Sequence, residues 1–472
     1  MNGRLFALIA LVAFTLSFSG CGNYSSSSTS YPPGMPPGTQ GASVTLTLRD
    51  APPAGVTVLS FELTVNGATL NPGGYNLISS PKKIEIKQLE TDAVFLSTAS
   101  VPPAIYQSIT VNFTNPELTI LNQSGAAIGN CANNAVCEIS PASAGNITFS
   151  GAPFPINLQS GSPVGFQVDV NLAALVTNNL SLDFNAAGAI TVNQLPLPGE
   201  PADHLDELDD LVGTVTNLSA SNSTFTLHTA NADFQIQANS NTEFEFESCA
   251  ANNFTCLQNN MVVQVDVKVM PGGTFIAKKI EFEDEVADNE LEGSIVKIDD
   301  ASHFEMVVLG ELSDVANVSI GNPVAVTLSN PTFQVDTDGL NVPSSLQGAF
   351  ESASDTSQLV PGQVVEIRLS APPSAGTPIS VTANRVRLRM TQLTATVTGA
   401  PAPPNFTVGS LPGLFTNAGI SSIQVQTSSA TDFEGVSGVS GLADQNVVSL
   451  RGLLFKNGAN PPVLIAGKVR KR

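Results

Sequence analysis

The chain has 472 residues, and at ~100–200 residues per domain that length predicts roughly three or four folded units. Apolar residues at 42% exclude a globally disordered chain, and the 38 Gly and 32 Pro follow no collagen triplet. Charged residues are only 12%, with a net charge of −21, which argues against a nucleic-acid or anionic-membrane surface.

Residues 1–20 read as an export signal. Arg4 supplies the positive start, and Leu5 to Leu16 form an apolar run too short for a bilayer-spanning helix, which takes ~20 residues. Phe18-Ser19-Gly20-Cys21 follows and resembles the lipobox of bacterial lipoproteins. That resemblance implies that Cys21 is acylated, becomes the first mature residue and anchors the chain to a membrane. Plain secretion with Cys21 incidental is the alternative. Gly22 rather than Asp follows, resembling the sorting pattern for the outer membrane of two-membrane bacteria. Residues 21–41 are rich in Ser, Pro and Gly, cannot build a core, and read as a tether.

Residues 42–197 alternate with period two, as in Ser43 to Arg49 and Leu59 to Val65. Further strands are expected at Lys83 to Ile86, Tyr106 to Phe113, Leu118 to Leu121, Asn146 to Phe149 and Gly165 to Asn171, with one helical segment at Leu172 to Asn178. This is the pattern of an antiparallel β-sandwich with hairpin connections. Four cysteines lie beyond the tether, an even count that suggests disulfides in an exported chain. Cys131 with Cys137 and Cys249 with Cys256 are local pairs set in polar Asn/Ala turns. A zinc site would need all four to converge, and no C-x-x-C redox motif occurs.

An acidic linker is expected over 198–210, carrying Asp203, Asp206, Glu207, Asp209 and Asp210 after a Pro-rich stretch. Beyond it a module recurs over 211–289, 290–390 and 391–472. Each unit opens on a strand such as Leu211-Val-Gly-Thr-Val or Leu291-Glu-Gly-Ser-Ile. Each then carries a Thr/Phe motif (Thr242-Glu-Phe, Thr332-Phe, Thr431-Asp-Phe), a Val-Val strand, and a closing strand of apolar–charged alternation. Five or six strands in such a length suit a small closed β-barrel. The stretch from Asp336 to Pro361 is long for a barrel loop and has room for an extra strand.

On these residues 208–289, and more loosely the two later units, resemble the OB-like small barrel of the family DUF5666. Ser43-Val-Thr-Leu-Thr-Leu-Arg-Asp-Ala-Pro52, Ile84 to Asp92, Val101-Pro-Pro-Ala-Ile-Tyr106 and Gly165 to Leu172 resemble the exported β-sandwich family DUF4382. Both resemblances imply a bacterial envelope protein. Neither family brings an assigned reaction, so no site residue is carried over.

The fold expected is therefore all-β: an N-terminal antiparallel β-sandwich followed by about three small OB-like β-barrels in an elongated row. No phosphate loop, H-E-x-x-H or G-x-S-x-G motif is present. The three histidines, His204, His228 and His303, stand apart in the sequence. Candidate Ca²⁺ ligands are the acidic set Asp203, Asp206, Glu207, Asp209 and Asp210, together with Asp284, Glu285 and Asp288. A solvated, self-repelling linker is the reading favoured over a metal site. The function expected is a structural, adhesive or binding role without catalysis, with an envelope protein or glycan as partner and no nucleic acid. The alternatives are an envelope-polymer hydrolase with inter-domain carboxylates, or a calcium-stabilised surface binding protein.

Overall fold

The computed structural model describes residues 42–472 apart from 52–56, 79–80, 92–93, 142–144, 161–162, 178–179, 196–206, 229–232, 247–248, 271–273, 283–289, 312–314, 316, 338 and 377. Residues 1–41, including the export signal, Cys21 and the tether, lie outside the described residues. The described chain is all-β, with short helices between strands.

The N-terminal unit comprises β1 (Ala42–Ala51), β2 (Thr57–Asn71), β3 (Tyr75–Asn76), β4 (Lys82–Glu85), β5 (Val94–Val101) and β6 (Ala104–Tyr106). It continues through β7 (Ser108–Leu121), β8 (Val136–Ile139), β9 (Asn146–Phe149), β10 (Ile156–Leu158), β11 (Pro163–Asn171), helix α1 (Leu172–Leu175) and β12 (Ile190–Leu195). One sheet runs β12-β11-β1-β5; another runs β3-β2-β7-β8, with β4 on β2 and β9 on β7. Alternation sends Phe61, Leu63 and Val65 of β2, Val111 and Phe113 of β7, and Phe166 and Val168 of β11 into one buried cluster.

Three details differ from the sequence reading. β1 runs parallel to β11, from Ser43 opposite Pro163 to Ala51 opposite Asn171, so the unit is not wholly antiparallel. The strands expected at Tyr106 to Phe113 and Leu118 to Leu121 are joined in the single strand β7. Its Asn115 takes φ 49° beside Pro116, where the register with β2 shifts. A bulge there leaves the proline, which has no N–H, outside the ladder. Helix α1 stops at Leu175, short of Asn178.

The next unit holds β13 (Glu207–Ser219), β14 (Thr224–His228), β15 (Asp233–Gln237), β16 (Glu243–Glu245), β17 (Val262–Met270) and β18 (Thr274–Phe282). Its order β15-β14-β13-β17-β18 is closed by a parallel pairing of β15 with β18. The result is a five-stranded barrel around Val215, Phe225, Phe234, Val265 and Ile280. Glu207 to Asp210, expected as the end of the linker, instead begin β13: Glu207 and Leu208 pair with Lys268 and Val267 of β17, and Asp209 and Asp210 fall where the register shifts.

The remaining strands form one ten-stranded sheet. Its first part is β19 (Glu290–Ile298), β20 (His303–Glu311), β21 (Pro323–Val335), helix α2 (Ser344–Glu351), β22 (Val364–Leu369) and β23 (Ile379–Val397). Its second part is β24 (Asn405–Gly409), helix α3 (Gly413–Asn417), β25 (Ile423–Gln426), β26 (Asp432–Glu434), β27 (Val447–Asn457) and β28 (Asn460–Lys471). The pairings return on themselves twice: β21 pairs with β23 in parallel, and β23-β24-β25-β28-β27 comes back to β23. β23 serves both circuits, so the boundary expected at 390 falls inside a strand. Between 336 and 361 the structure places helix α2 rather than an extra strand. Its Phe350 sits edge-on to Phe333 (5.4 Å) and to Phe455 of the last circuit (6.4 Å).

Local devices repeat with the pairings. Val215 and Asn260, Ile295 and Gly362, and Val397 and Gln445 each occur in a short backbone clasp, with the second residue donating to the first residue's carbonyl. Asn260, Gly362 and Gln445 all have left-handed φ, at 71°, 91° and 69°. Thr242 Oγ1 accepts from Asn239 N (2.9 Å) and donates to Ala277 O (2.7 Å). Thr431 does the same with Ser428 N (2.8 Å) and Ala466 O (2.7 Å). In these two copies the threonine of the Thr/Phe motif thus pins a loop to the last strand.

Candidate functional site

The N-terminal unit is joined to the C-terminal sheet by a buried seam. Leu59 and Leu121 meet Val307 and Leu414 in a common apolar cluster. Thr119 Oγ1 donates to Gly321 O (2.8 Å), and Asn322 Nδ2 to Glu138 Oε2 (3.0 Å). On the other side Thr394 Oγ1 donates to Glu90 Oε2 (2.7 Å), and Arg472 Nη2 to Glu90 O (3.0 Å). The expected elongated row therefore gives way, for the N-terminal unit, to a fold-back onto both C-terminal circuits. Apolar side chains of β2 and β7 that point away from their own core are covered by this docking.

Where these elements meet, two adjoining clefts open, of about 650 and about 1000 Å³. They share Val136 and the prolines Pro323 and Pro378. Cys131 and Cys137 form a disulfide in one wall, and Asn122 Nδ2 donates to Ala126 O (2.8 Å) and Cys131 O (2.9 Å) behind it. Loop residues are thereby fixed without a regular element. The walls combine apolar side chains with amides and with the charged Glu138, Lys297 and Glu305, a surface that suits an extended partner carrying both apolar and polar groups.

Two buried charged groupings escaped sequence reasoning. On the outer face of β22, Glu366 is fully buried and meets Arg385 (3.2 Å), Arg387 (3.6 Å) and Arg389 of β23. Arg385 also pairs with Glu290 of β19, and Arg389 with Asp336 (2.7 Å). Buried charges persist when so paired. Glu85, at the end of β4, meets no such cation among the described residues. Its Oε1 accepts from Phe61 N and Lys87 N, both at 2.9 Å, and its Oε2 lies 2.6 Å from Ser60 Oγ. Burial outweighs those hydrogen bonds and pushes its carboxyl up to about 7. Nearby Glu62 is also raised by burial, although Lys83 pairs with it. The alternation of a strand gave no sign of these groups, because a carboxylate between apolar residues reads as solvent-facing.

Residues 212–281 match the family described as "Domain of unknown function (DUF5666)". This stretch is a DUF5666-like barrel. No curated protein matches the chain. Among solved structures it is similar to a multidomain protein with nucleic acid binding domains from Streptococcus pneumoniae, at 10% identity, covering 54% of this chain and 71% of that one. The TM-score is 0.11, so that likeness carries no argument.

The acidic candidates distribute unevenly around the DUF5666-like barrel. Asp203, Asp206, Asp284, Glu285 and Asp288 lie outside the described residues, while Glu207, Asp209 and Asp210 lie on β13. Among the described residues no group of three or more His, Cys, Asp or Glu side chains is placed to hold a metal ion. His228 pairs with Asp233 (2.5 Å) within the barrel, and His303 pairs with Asp300 (2.8 Å) beyond it. Cys249 and Cys256 are joined as a disulfide beside the barrel core, with Cys256 buried.

Proposed function

We propose that this is an exported, lipid-anchored binding or scaffolding protein of the bacterial envelope, held to the membrane through Cys21 and built from a DUF4382-like sandwich and three copies of the DUF5666-like barrel.

 The observation that carries this reading is the recurrence of one pairing circuit. In the DUF5666-like barrel the opening strand pairs with the second and fifth strands, and the last strand closes parallel on the third. The circuits around β19 and β23 repeat that connectivity, each with its left-handed turn residue at the same place. Repeated small barrels carrying an N-terminal unit suit a framework that presents surfaces, and the Pro-lined clefts are the surface we assign to a protein or glycan partner.

The test uses the chain with its own anchor. Metabolic labelling with a fatty-acid analogue should mark the wild type and not Cys21→Ser, and the wild type should fractionate with outer membrane. Retention of envelope protein or glycan by the wild type should fall on Ala418→Trp, which fills the larger cleft from an exposed position. Labelling that survives Cys21→Ser would overturn the anchoring, and retention unchanged in Ala418→Trp would overturn the cleft.

A further inference from the structure

We propose that Glu85 and Ser60 form a proton-operated latch on the seam, holding the N-terminal unit more tightly to the β20–β21 turn when Glu85 carries a proton. Ser60 lies on β2, buried, directly opposite Thr119 of β7 in the ladder. One side of its hydroxyl meets Glu85 Oε2 at 2.6 Å. The other side faces the second unit: a Cβ added to Gly321 would lie 3.5 Å from Ser60 Oγ and 3.0 Å from Thr119 Oγ1. Thr119 already donates across the seam to Gly321 O. A single hydroxyl thus stands between a buried carboxyl and an inter-unit contact.

The surrounding charges leave Glu85 to titrate. Glu62 on β2 opposes its ionisation. Lys83 on β4 is taken by Glu62, which Glu117 on β7 also repels. Lys87 gives Glu85 only its backbone amide, while its ammonium pairs with Glu90. Burial and the Glu62 charge therefore hold the carboxyl near neutrality, at about 7.

The hydrogen atoms balance in both states. With Glu85 ionised, Ser60 O–H donates to Oε2 and has no proton for the seam. With Glu85 protonated, Oε2–H donates to Ser60 Oγ over the same contact, while Oε1 keeps its two amide donors. The Ser60 proton is then free to turn toward the Thr119 hydroxyl and the Gly321 backbone. Acid adds a donor at the seam, and alkali removes it and buries an anion beside it.

Hydrogen exchange of the full chain tests the latch, read in segments 57–61 and 318–323 and corrected for the intrinsic pH dependence of exchange. Wild-type protection of these segments should fall about tenfold between pH 6 and pH 8. Glu85→Gln, a neutral group that donates permanently, should keep the high protection at both pH values. Ser60→Ala should abolish the pH dependence at 318–323 while the carboxyl still titrates. A flat wild-type profile overturns the proposal, as does a slope at 318–323 that survives Ser60→Ala. If Glu85→Gln does not fold, the wild type and Ser60→Ala decide the matter between them.

Discussion

Glu90 accepts a hydrogen bond of 2.7 Å from Thr394, 304 residues away along the chain. Thr394 Oγ1 also lies 2.8 Å from Ser449 Oγ, which receives Arg472 Nε at 2.5 Å. The N-terminal unit and the last circuit therefore share one partly buried polar network. Thr394→Val keeps the shape of the side chain but leaves Glu90 Oε2 without this donor. It should cost ~1–3 kcal/mol, with Thr394→Ser recovering most of the loss. Urea unfolding midpoints check this, and equal midpoints for Val and Ser would show that the Thr394–Glu90 hydrogen bond contributes no stability.

A close approach of strands makes two glycines sensitive. A Cβ on Gly213 would lie 2.6 Å from His228 O, and one on Gly293 2.6 Å from Val307 O. Backbone on both sides cannot yield, so Gly213→Ala and Gly293→Ala should each cost ~1–3 kcal/mol or more. The corresponding place in the last circuit is Ala395, buried in its core, where the strands already accommodate a methyl group. Ala395→Gly should therefore be milder, by about 1 kcal/mol. Thermal melts of the three variants check the ordering.

How far the sequence disclosed this structure depends on the distance between interacting residues. Period two located the strands, and the Thr/Phe motif marked Thr242 and Thr431, which bind the loop ends in place. Local cysteine spacing matched both disulfides. The continuity of β7 was hidden because Asn115-Pro116 reads as a stop, whereas a bulge absorbs it. The sharing of β23 was hidden because its two halves each carry a complete strand pattern. The seam had no local signal at all: Glu90 and Thr394 acquire meaning only when distant units meet. Glu85 and Glu366 were passed over for the same reason.

The disulfide Cys249–Cys256 closes a short loop against the barrel core, with Cys256 packed near Leu257 and Phe254. Closing a loop of this size stabilises by roughly 2 kcal/mol through the unfolded chain. Replacing both cysteines with serine should lower the melting of the DUF5666-like barrel while leaving the C-terminal sheet unchanged. Segment-resolved hydrogen exchange separates the two. A matched loss in the C-terminal sheet would show that the units unfold together.

Glu85 also sets a sign for the global pH dependence. Its folded carboxyl titrates at about 7, above its ordinary value of 4.5. The folded chain thus binds the proton more tightly than the unfolded chain. This contribution is fully present below about 4.5 and is lost as pH rises toward 7. Its largest size is ~3 kcal/mol, from ~1.4 kcal/mol per unit of pKa. Glu85→Gln should flatten this part of the stability profile between pH 5 and pH 8, as measured by denaturant unfolding in matched ionic strength. An unchanged slope would assign the dependence to other carboxyls.

The last expectation concerns the charges on the outer face of β22. Glu366 is fully buried between Arg385, Arg387 and Arg389, and Arg389 is itself almost fully buried. Removing the carboxylate leaves Arg389 with Asp336 as its remaining anionic partner in this group. Glu366→Leu should therefore cost ~3–5 kcal/mol, more than Glu366→Gln, which keeps an acceptor near the guanidinium groups. Because Arg385 and Arg389 lie on β23, the strand that serves both C-terminal circuits, the loss should appear in both at once. Hydrogen exchange confined to the first circuit would show that the shared strand does not couple them.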